Sequence, residues 1–173
     1  GTPHINTVTA SGQDPEGNPD TATDDATVSI TDVLPEITVT KTANPTSVSE
    51  LGGAVLFTVV VTNVNAEAVT LTSLDDSVFG NLNGKGTCAT GGSIIGSGGT
   101  YTCSFTETLS GQPAAPHVNT VTAVASDNDG NSDTATASAN VGFTDVLPDI
   151  TVTKTANPTS VSELGGAVLF TVV

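Results

Sequence analysis

The sequence repeats itself at a fixed interval of 113 residues. The segment His4–Ala10 returns with one substitution as His117–Ala123, and the 24 residues of Ile37–Val60 recur without change as Ile150–Val173. No gap is needed to align the copies. Self-similarity at one fixed interval is the signature of a tandem array in which each repeat is one structural unit.

This interval divides the chain into one whole repeat and two partial ones. We predict that residues 1–36 are the C-terminal part of a preceding repeat, that residues 37–149 form a complete domain, and that residues 150–173 begin the following repeat. A domain of this size can bury a core of its own. Neither partial copy contains a counterpart of residues 61–113, so we expect both ends to lie within domains of a longer protein.

The charge of the chain limits the partners that it can bind. Three basic residues oppose 18 acidic ones, which gives a net charge of −15. Such a chain cannot neutralise phosphates, so nucleic acid is not an expected partner, and anionic membranes are disfavoured. The sequence contains no long apolar run, so we predict no direct membrane insertion. A surface of this kind attracts cations and keeps long polymers soluble.

Short segments rich in Val and Thr alternate apolar and polar residues with a period of two, and no segment sustains a helical period. We therefore predict an all-β chain of tandem immunoglobulin-like β-sandwich repeats with about seven strands each. The predicted strands of the complete repeat are 37–43, 54–63, 67–75, 86–90, 100–109, 117–126 and 133–144.

The two cysteines, Cys88 and Cys103, lie on either side of a loop rich in Gly and Ser that can fold them together. We predict a disulfide between them, which in the chain-entropy model stabilises the fold by about 3 kcal/mol. A disulfide implies an oxidising, extracytoplasmic setting. Two buried free thiols are the alternative.

Two equivalent acidic loops carry oxygen-bearing side chains at alternate positions, a spacing that lets them surround one hard cation such as calcium. The loops are not EF-hands, because the distal Glu is missing; a solvated hairpin turn is the alternative interpretation. The acidic linkers between repeats form a second predicted calcium group. The candidate ligands are Asp127, Asp129, Asn131 and Asp133 in one loop, Asp14, Glu16, Asn18 and Asp20 in the other, and Asp32, Glu36, Asp145 and Asp149 in the linkers.

Strand alternation places three polar side chains on inward faces. Lys41 shares the face of Val39, Glu107 that of Phe105, and Asn119 that of Val121. An inward Lys, Glu and Asn are the ingredients of a self-formed Lys-to-Asn isopeptide bond, in which the carboxyl group transfers protons. The alternative is a Lys that reaches out of the core or pairs with a carboxylate.

Several of these segments together resemble the conserved-repeat family of bacterial and archaeal surface proteins. The segments are Ile37–Ala43, Phe57–Asn63, the cysteine pair, Asn119–Ala123 and the Asp/Gly/Asn loop. The resemblance covers essentially all 173 residues. It implies immunoglobulin-type or prealbumin-type sandwiches strung along surface proteins as stalks or adhesin spacers, and it brings no catalytic residues.

Catalysis is not expected. His4 and His117 are one repeat position seen twice, and the spacing assigns neither a Ser or Asp partner. The Gly-rich stretch 91–99 lacks the Lys and the helix of a phosphate-binding loop.

The predicted function is therefore that of a structural repeat in an extracellular or cell-surface fibre, stalk or adhesin spacer, stiffened by calcium. Its partners are neighbouring repeats of the same polypeptide, and self-assembly into fibres is a further option. The alternative is a multivalent module that recognises a glycan or a partner protein through the repeat loops. The scarcity of aromatic residues, at 3%, argues against a glycan platform.

Overall fold

The computed structural model describes residues 2–173, so that Gly1 lies outside the described residues. Residues 2–173 contain strands and turns and no helix, which confirms the prediction of an all-β chain. The many Val and Thr side chains explain this result, because β-branched residues suit the pleated surface of a sheet. No helix that could cross a membrane is present in this range.

The described chain forms 13 strands, of which β3–β11 belong to the complete repeat. Their bounds are β1 His4–Gln13, β2 Pro19–Val28, β3 Ile37–Asn44, β4 Ser47–Ser49, β5 Gly53–Asn63, β6 Val69–Asp76, β7 Gly80–Asn81, β8 Ser93–Ile95, β9 Thr100–Leu109, β10 His117–Ser126, β11 Ser132–Thr144, β12 Lys154–Asn157 and β13 Leu169–Val172.

The strands of the complete repeat form two sheets. One sheet has the antiparallel order β3-β5-β9, and the other has the order β4-β11-β10-β6-β7, with β8 paired to β6. Within the second sheet β4 runs parallel to β11, while the other pairs are antiparallel. The short β4 thus joins the early part of the repeat to its last strand.

One apolar core lies between these two sheets. Phe57 contacts Phe79 and Phe105, with ring centroids 5.8 Å and 5.4 Å apart. The alternation in the sequence correctly predicts which face of β5 is buried, and the architecture is consistent with a β-sandwich. The inward side chains of β5 are Val55, Phe57, Val59 and Val61, and all four are fully buried.

The predicted short strand at residues 86–90 is wrong. This segment follows turns, and Gly84 and Gly86 adopt positive φ angles of 85° and 54° that are incompatible with an extended strand. Thr87 nevertheless bonds to Ser104 of β9 through both its backbone N–H and its hydroxyl. The sequence does not predict the short strands β4, β7 and β8, because two or three residues show too little alternation to define a strand.

A β-bulge interrupts β6. The pairing register between β6 and β10 shifts between Val124 and Ala125. Val124 pairs with Ser73 and Ala125 pairs with Leu71, so Thr72 is the extra residue. An extra residue in one strand reverses the faces of the side chains that follow it. The inward positions therefore change from odd to even numbers along β6, and Leu74 and Asp76 are buried.

The two partial repeats form hairpins in the same register as their counterparts in the complete repeat. His4 pairs with Val28 as His117 pairs with Val141, and Lys154 pairs with Val172 as Lys41 pairs with Val59. The first hairpin, β1-β2, is exposed along its whole length. These pairings thus recur in the partial copies, which lack the remaining strands of the sandwich.

The chain enters and leaves the complete repeat at opposite ends of β11. At the start of β11, the Asp133 carboxylate accepts a hydrogen bond of 2.8 Å from the backbone N–H of Ile37, the first residue of β3. At the other end, the carbonyl of Thr144 accepts a hydrogen bond of 2.9 Å from Glu50. The 13 residues of β11 span about 40 Å at the ordinary rise of a strand.

Candidate functional site

A polar triad occupies the core of the complete repeat. Lys41 projects from β3, Asp76 from the end of β6, and Asn119 from β10. The side chains of Lys41 and Asp76 are fully buried and form an ion pair between Nζ and Oδ2. The Asn119 amide is also fully buried, and its Nδ2 donates to Asp76 Oδ2 at 3.0 Å and to Oδ1 at 3.2 Å.

Backbone groups hold the Asp76 carboxylate in place. Its Oδ1 accepts hydrogen bonds from the N–H groups of Val78 at 2.9 Å and Phe79 at 3.0 Å, so the turn after β6 orients the side chain. Asn119 has a different environment, because its Oδ1 is buried without a hydrogen-bond partner. The amide is therefore fixed through Asp76 on its nitrogen side, while its carbonyl oxygen remains free.

Aromatic rings surround the Lys41 ammonium. Its Nζ lies 5.1 Å from the ring centroid of Phe57 and 5.8 Å from that of Phe105. Desolvation lowers the pKa of Lys41, and the hydrogen bond and charge of Asp76 oppose this shift without cancelling it. This buried environment therefore favours loss of a proton from Nζ more than water does.

The carboxylate beside Lys41 and Asn119 is Asp76 and not the predicted Glu107. Glu107 is partly buried on the face of Phe105, as the alternation indicates, but its Oε1 accepts a hydrogen bond of 2.6 Å from Lys85. Simple alternation from Val69 would point Asp76 outward. The bulge at Thr72 turns it inward, and no feature of the sequence marks that bulge.

Cys88 and Cys103 form a disulfide in the structure. Cys103 lies on β9, and both cysteines are buried within the apolar core. The bridge fastens the irregular segment after β7 to the sheet β3-β5-β9. Tyr101, two residues before Cys103, adds a second attachment by accepting a hydrogen bond of 2.8 Å from the N–H of Ala89.

The acidic loop between β10 and β11 is closed by hydrogen bonds to Asp127. Its Oδ1 accepts from the N–H groups of Asp129 and Asn131, at 3.0 Å and 2.9 Å, and its Oδ2 accepts from Asn131 Nδ2 at 2.9 Å. Desolvation raises the pKa of Asp127, but these hydrogen bonds outweigh it, and the pKa is lowered. Asp133 does not face this loop centre; it binds the N–H groups of Ile37 and Thr134.

The equivalent loop between β1 and β2 has the same construction. Asp14 accepts from the N–H groups of Glu16 and Asn18 and from Asn18 Nδ2, and the last of these bonds is 2.8 Å long. The Asn18 side chain is the main cause of the lowered pKa of Asp14. Asp20 accepts from the N–H of Thr21, so its carboxylate is used outside the loop centre.

The first linker, which precedes β3, approaches the β10-β11 loop of the complete repeat. Asn131 Nδ2 donates to Asp32 Oδ2 at 2.9 Å, which joins the linker to the β10-β11 loop. Glu67, which the sequence does not single out, belongs to the same region. Its pKa is raised by desolvation and then by the negative charges of Asp127, Asp129 and Asp32. This acidic cluster arises from tertiary contacts between segments far apart in the sequence.

Some of the predicted calcium ligands contact one another, but they do not form a metal site. Within residues 2–173, no three His, Cys, Asp or Glu side chains come together in an arrangement that could hold a metal ion. Asp129, Glu16, Glu36, Asp145 and Asp149 are exposed to solvent. The loop residues as placed satisfy one another by hydrogen bonds and do not form a metal cage.

The same range contains no ligand-sized pocket. Among known proteins, no family model matches the chain, and no curated protein matches it.

Proposed function

We propose that the complete repeat is an immunoglobulin-like unit of an extended extracellular array, which serves as a stalk, fibre or adhesin spacer. The observation that carries the proposal is the position of the chain ends. The polypeptide enters beside the first residues of β11 and leaves beyond the last, so successive units are joined end to end. Repetition of one sequence suits this role, because a spacer needs the same unit many times.

The linkers add support, because polar contacts fasten them to the repeat. The carbonyl of Leu34 accepts from Asn65 Nδ2 at 2.5 Å, and the carbonyl of Glu36 accepts from the N–H of Val64 at 3.0 Å. At the far end, the N–H of Val146 donates to Glu50 Oε1 at 2.8 Å. Linkers held in this way restrict bending between neighbouring units.

The extracellular location is part of the same proposal. A disulfide persists in oxidising surroundings, and the net charge of −15 keeps long chains mutually repulsive and soluble. The resemblance of the repeat to the conserved repeats of bacterial and archaeal surface proteins favours the same setting. These arguments support a spacer that lies outside the cytoplasm.

Small-angle X-ray scattering tests the extended arrangement. Chains with one, two and three complete repeats should differ in maximum dimension by about 40 Å per added repeat. The matched control replaces residues 145–149 between units by a Gly/Ser linker of equal length, which should shorten the average span of the longer chains. Native chains whose dimension grows no faster than that of the control would rule out the stiff spacer.

Calcium stiffening rests on charge and not on a preformed cage. Asp32, Glu67, Asp127 and Asp129 concentrate negative charge where the linker meets the repeat, and desolvation together with the three aspartate charges raises the pKa of Glu67. A divalent cation at this cluster would relieve the repulsion and hold linker and loop together. We therefore expect calcium to raise the thermal unfolding midpoint of the chain.

Calorimetry in calcium chloride and in chelator, at ionic strength matched with sodium chloride, measures this effect. The variant Asp127→Asn should lose most of the calcium-dependent shift, whereas Asp24→Asn, an exposed acid on β2, should keep it. Calcium that binds the folded state must raise the midpoint. Equal wild-type midpoints in calcium and in chelator would therefore remove calcium from the proposal, and the spacer arrangement would be unaffected.

A further inference from the structure

We propose that Lys41 and Asn119 become joined by an intramolecular isopeptide bond, with Asp76 as the group that transfers the protons. One carboxylate oxygen, Asp76 Oδ2, contacts both the Lys41 Nζ that would attack and the Asn119 Nδ2 that would leave. The three groups come from β3, the end of β6 and β10, so the bond would tie the two sheets together covalently.

The burial of the triad separates this site from an ordinary surface ion pair. Lys41 and Asp76 side chains have no exposed area, and a buried ion pair gives a fold little net stability. The Asn119 carbonyl oxygen has no hydrogen-bond partner, which adds a further cost to an unreacted triad. Conversion of the ion pair and the amide into one neutral amide removes the two buried charges.

The surroundings favour the reactive form of the amine. Lys41 Nζ lies over the rings of Phe57 and Phe105, and desolvation by burial lowers its pKa. A neutral amine is a nucleophile, whereas an ammonium ion is not. Asp76 lies in contact with Nζ and can accept its proton directly.

The reaction balances without an oxidant or another reactant. The Lys41 ammonium gives one proton to the Asp76 carboxylate, and the resulting amine attacks Cγ of Asn119. The Nζ–Cγ bond forms and the Cγ–Nδ2 bond breaks, while protons pass from Nζ through Asp76 to the leaving nitrogen. The products are a secondary amide, ammonia and a neutral Asp76 carboxylic acid, which keeps one proton from the Lys41 ammonium.

The partial repeats provide internal controls. Asn6 and Lys154 occupy the positions of Asn119 and Lys41 in the preceding and following copies, but this chain contains no counterpart of Asp76 for either. Lys154 accordingly lies in the exposed hairpin β12-β13. The chain should therefore form one isopeptide bond and no more.

Intact-mass spectrometry of the whole chain, denatured and with its disulfide reduced, tests the proposal. The expected mass is that of the sequence less one ammonia. Digestion with an acid-specific protease should release a branched peptide in which Lys41 is joined to Asn119. An unmodified wild-type mass would overturn the proposal, and this result does not depend on whether any variant folds.

Matched variants exclude other routes to the same mass. Lys41→Arg, Asp76→Ala and Asn119→Ala should show the full mass of their sequences, whereas Lys154→Arg and Asn6→Ala should still lack one ammonia. Cyclisation at Asn83, which precedes Gly84, would also release ammonia. Persistence of the loss in Asn119→Ala would therefore contradict the proposal, as would a branched peptide that does not contain residue 119.

Discussion

Asn63, at the end of β5, connects several backbone segments through one buried side chain. Its amide is fully buried, and Nδ2 donates to the carbonyl groups of Glu67 at 2.6 Å and Ile95 at 3.1 Å. Its Oδ1 accepts from the N–H of Asn65 at 3.1 Å. One side chain therefore joins the turn before β6 to the end of β8, at the end of the repeat where the first linker lies.

Replacement of Asn63 by Ala should destabilise the fold by about 3 kcal/mol, because it leaves buried carbonyl groups without donors. Urea unfolding followed by fluorescence or circular dichroism measures the change. Asn140→Ala is the matched control, since Asn140 is exposed on β11, and its loss should stay within about 0.5 kcal/mol. A similar loss for both variants would contradict the role given to Asn63.

The acidic cluster predicts how stability depends on pH. The folded-state pKa of Glu67 is raised above its ordinary value of 4.5, so the folded chain binds more protons than the unfolded chain just above that pH. Stability must then fall as pH rises through this range, and the penalty persists at neutral pH. Glu67→Gln should therefore raise the unfolding midpoint at neutral pH, and its advantage should vanish well below pH 4.5.

Thermal scans across pH test this sign. Glu163→Gln, an exposed acid in the following partial repeat, should show the pH dependence of the wild type. A Glu67→Gln midpoint equal to that of the wild type at neutral pH would show that neither desolvation nor the neighbouring charges disfavour the charged form of Glu67.

At the scale of elements, long strands are readable from sequence and local irregularities are not. The bounds of β5, β9, β10 and β11 agree with prediction within a residue, because ten or more residues of alternation define both period and face. The same reasoning correctly predicts that Lys41 and Asn119 are buried. It misses Asp76, because one extra residue in β6 reverses the faces beyond it. It also misses Glu67, whose acidic neighbours come from other segments.

The disulfide fastens the irregular segment after β7 to β9. Its cysteines are 15 residues apart, so the bridge should contribute about 3 kcal/mol by restricting the unfolded chain. We expect the double variant Cys88→Ala, Cys103→Ala to lose about that amount in urea unfolding. Reductant should weaken the wild type similarly and leave the double variant unchanged; equal stability of the oxidised wild type and the double variant would refute the expectation.

At the scale of the whole molecule, the opposite placement of the chain ends means that a pull along the chain passes through the repeat from the start of β3 to the end of β11. A Lys41–Asn119 bond would bypass the residues between them, so that only the residues up to 41 and from 119 onward, about 36 in the repeat, could be drawn out. Drawn out straight, they reach roughly 120 Å, against about 40 Å for the folded unit along β11. A bonded unit under tension would therefore lengthen only about threefold and would keep β3 and β10 joined.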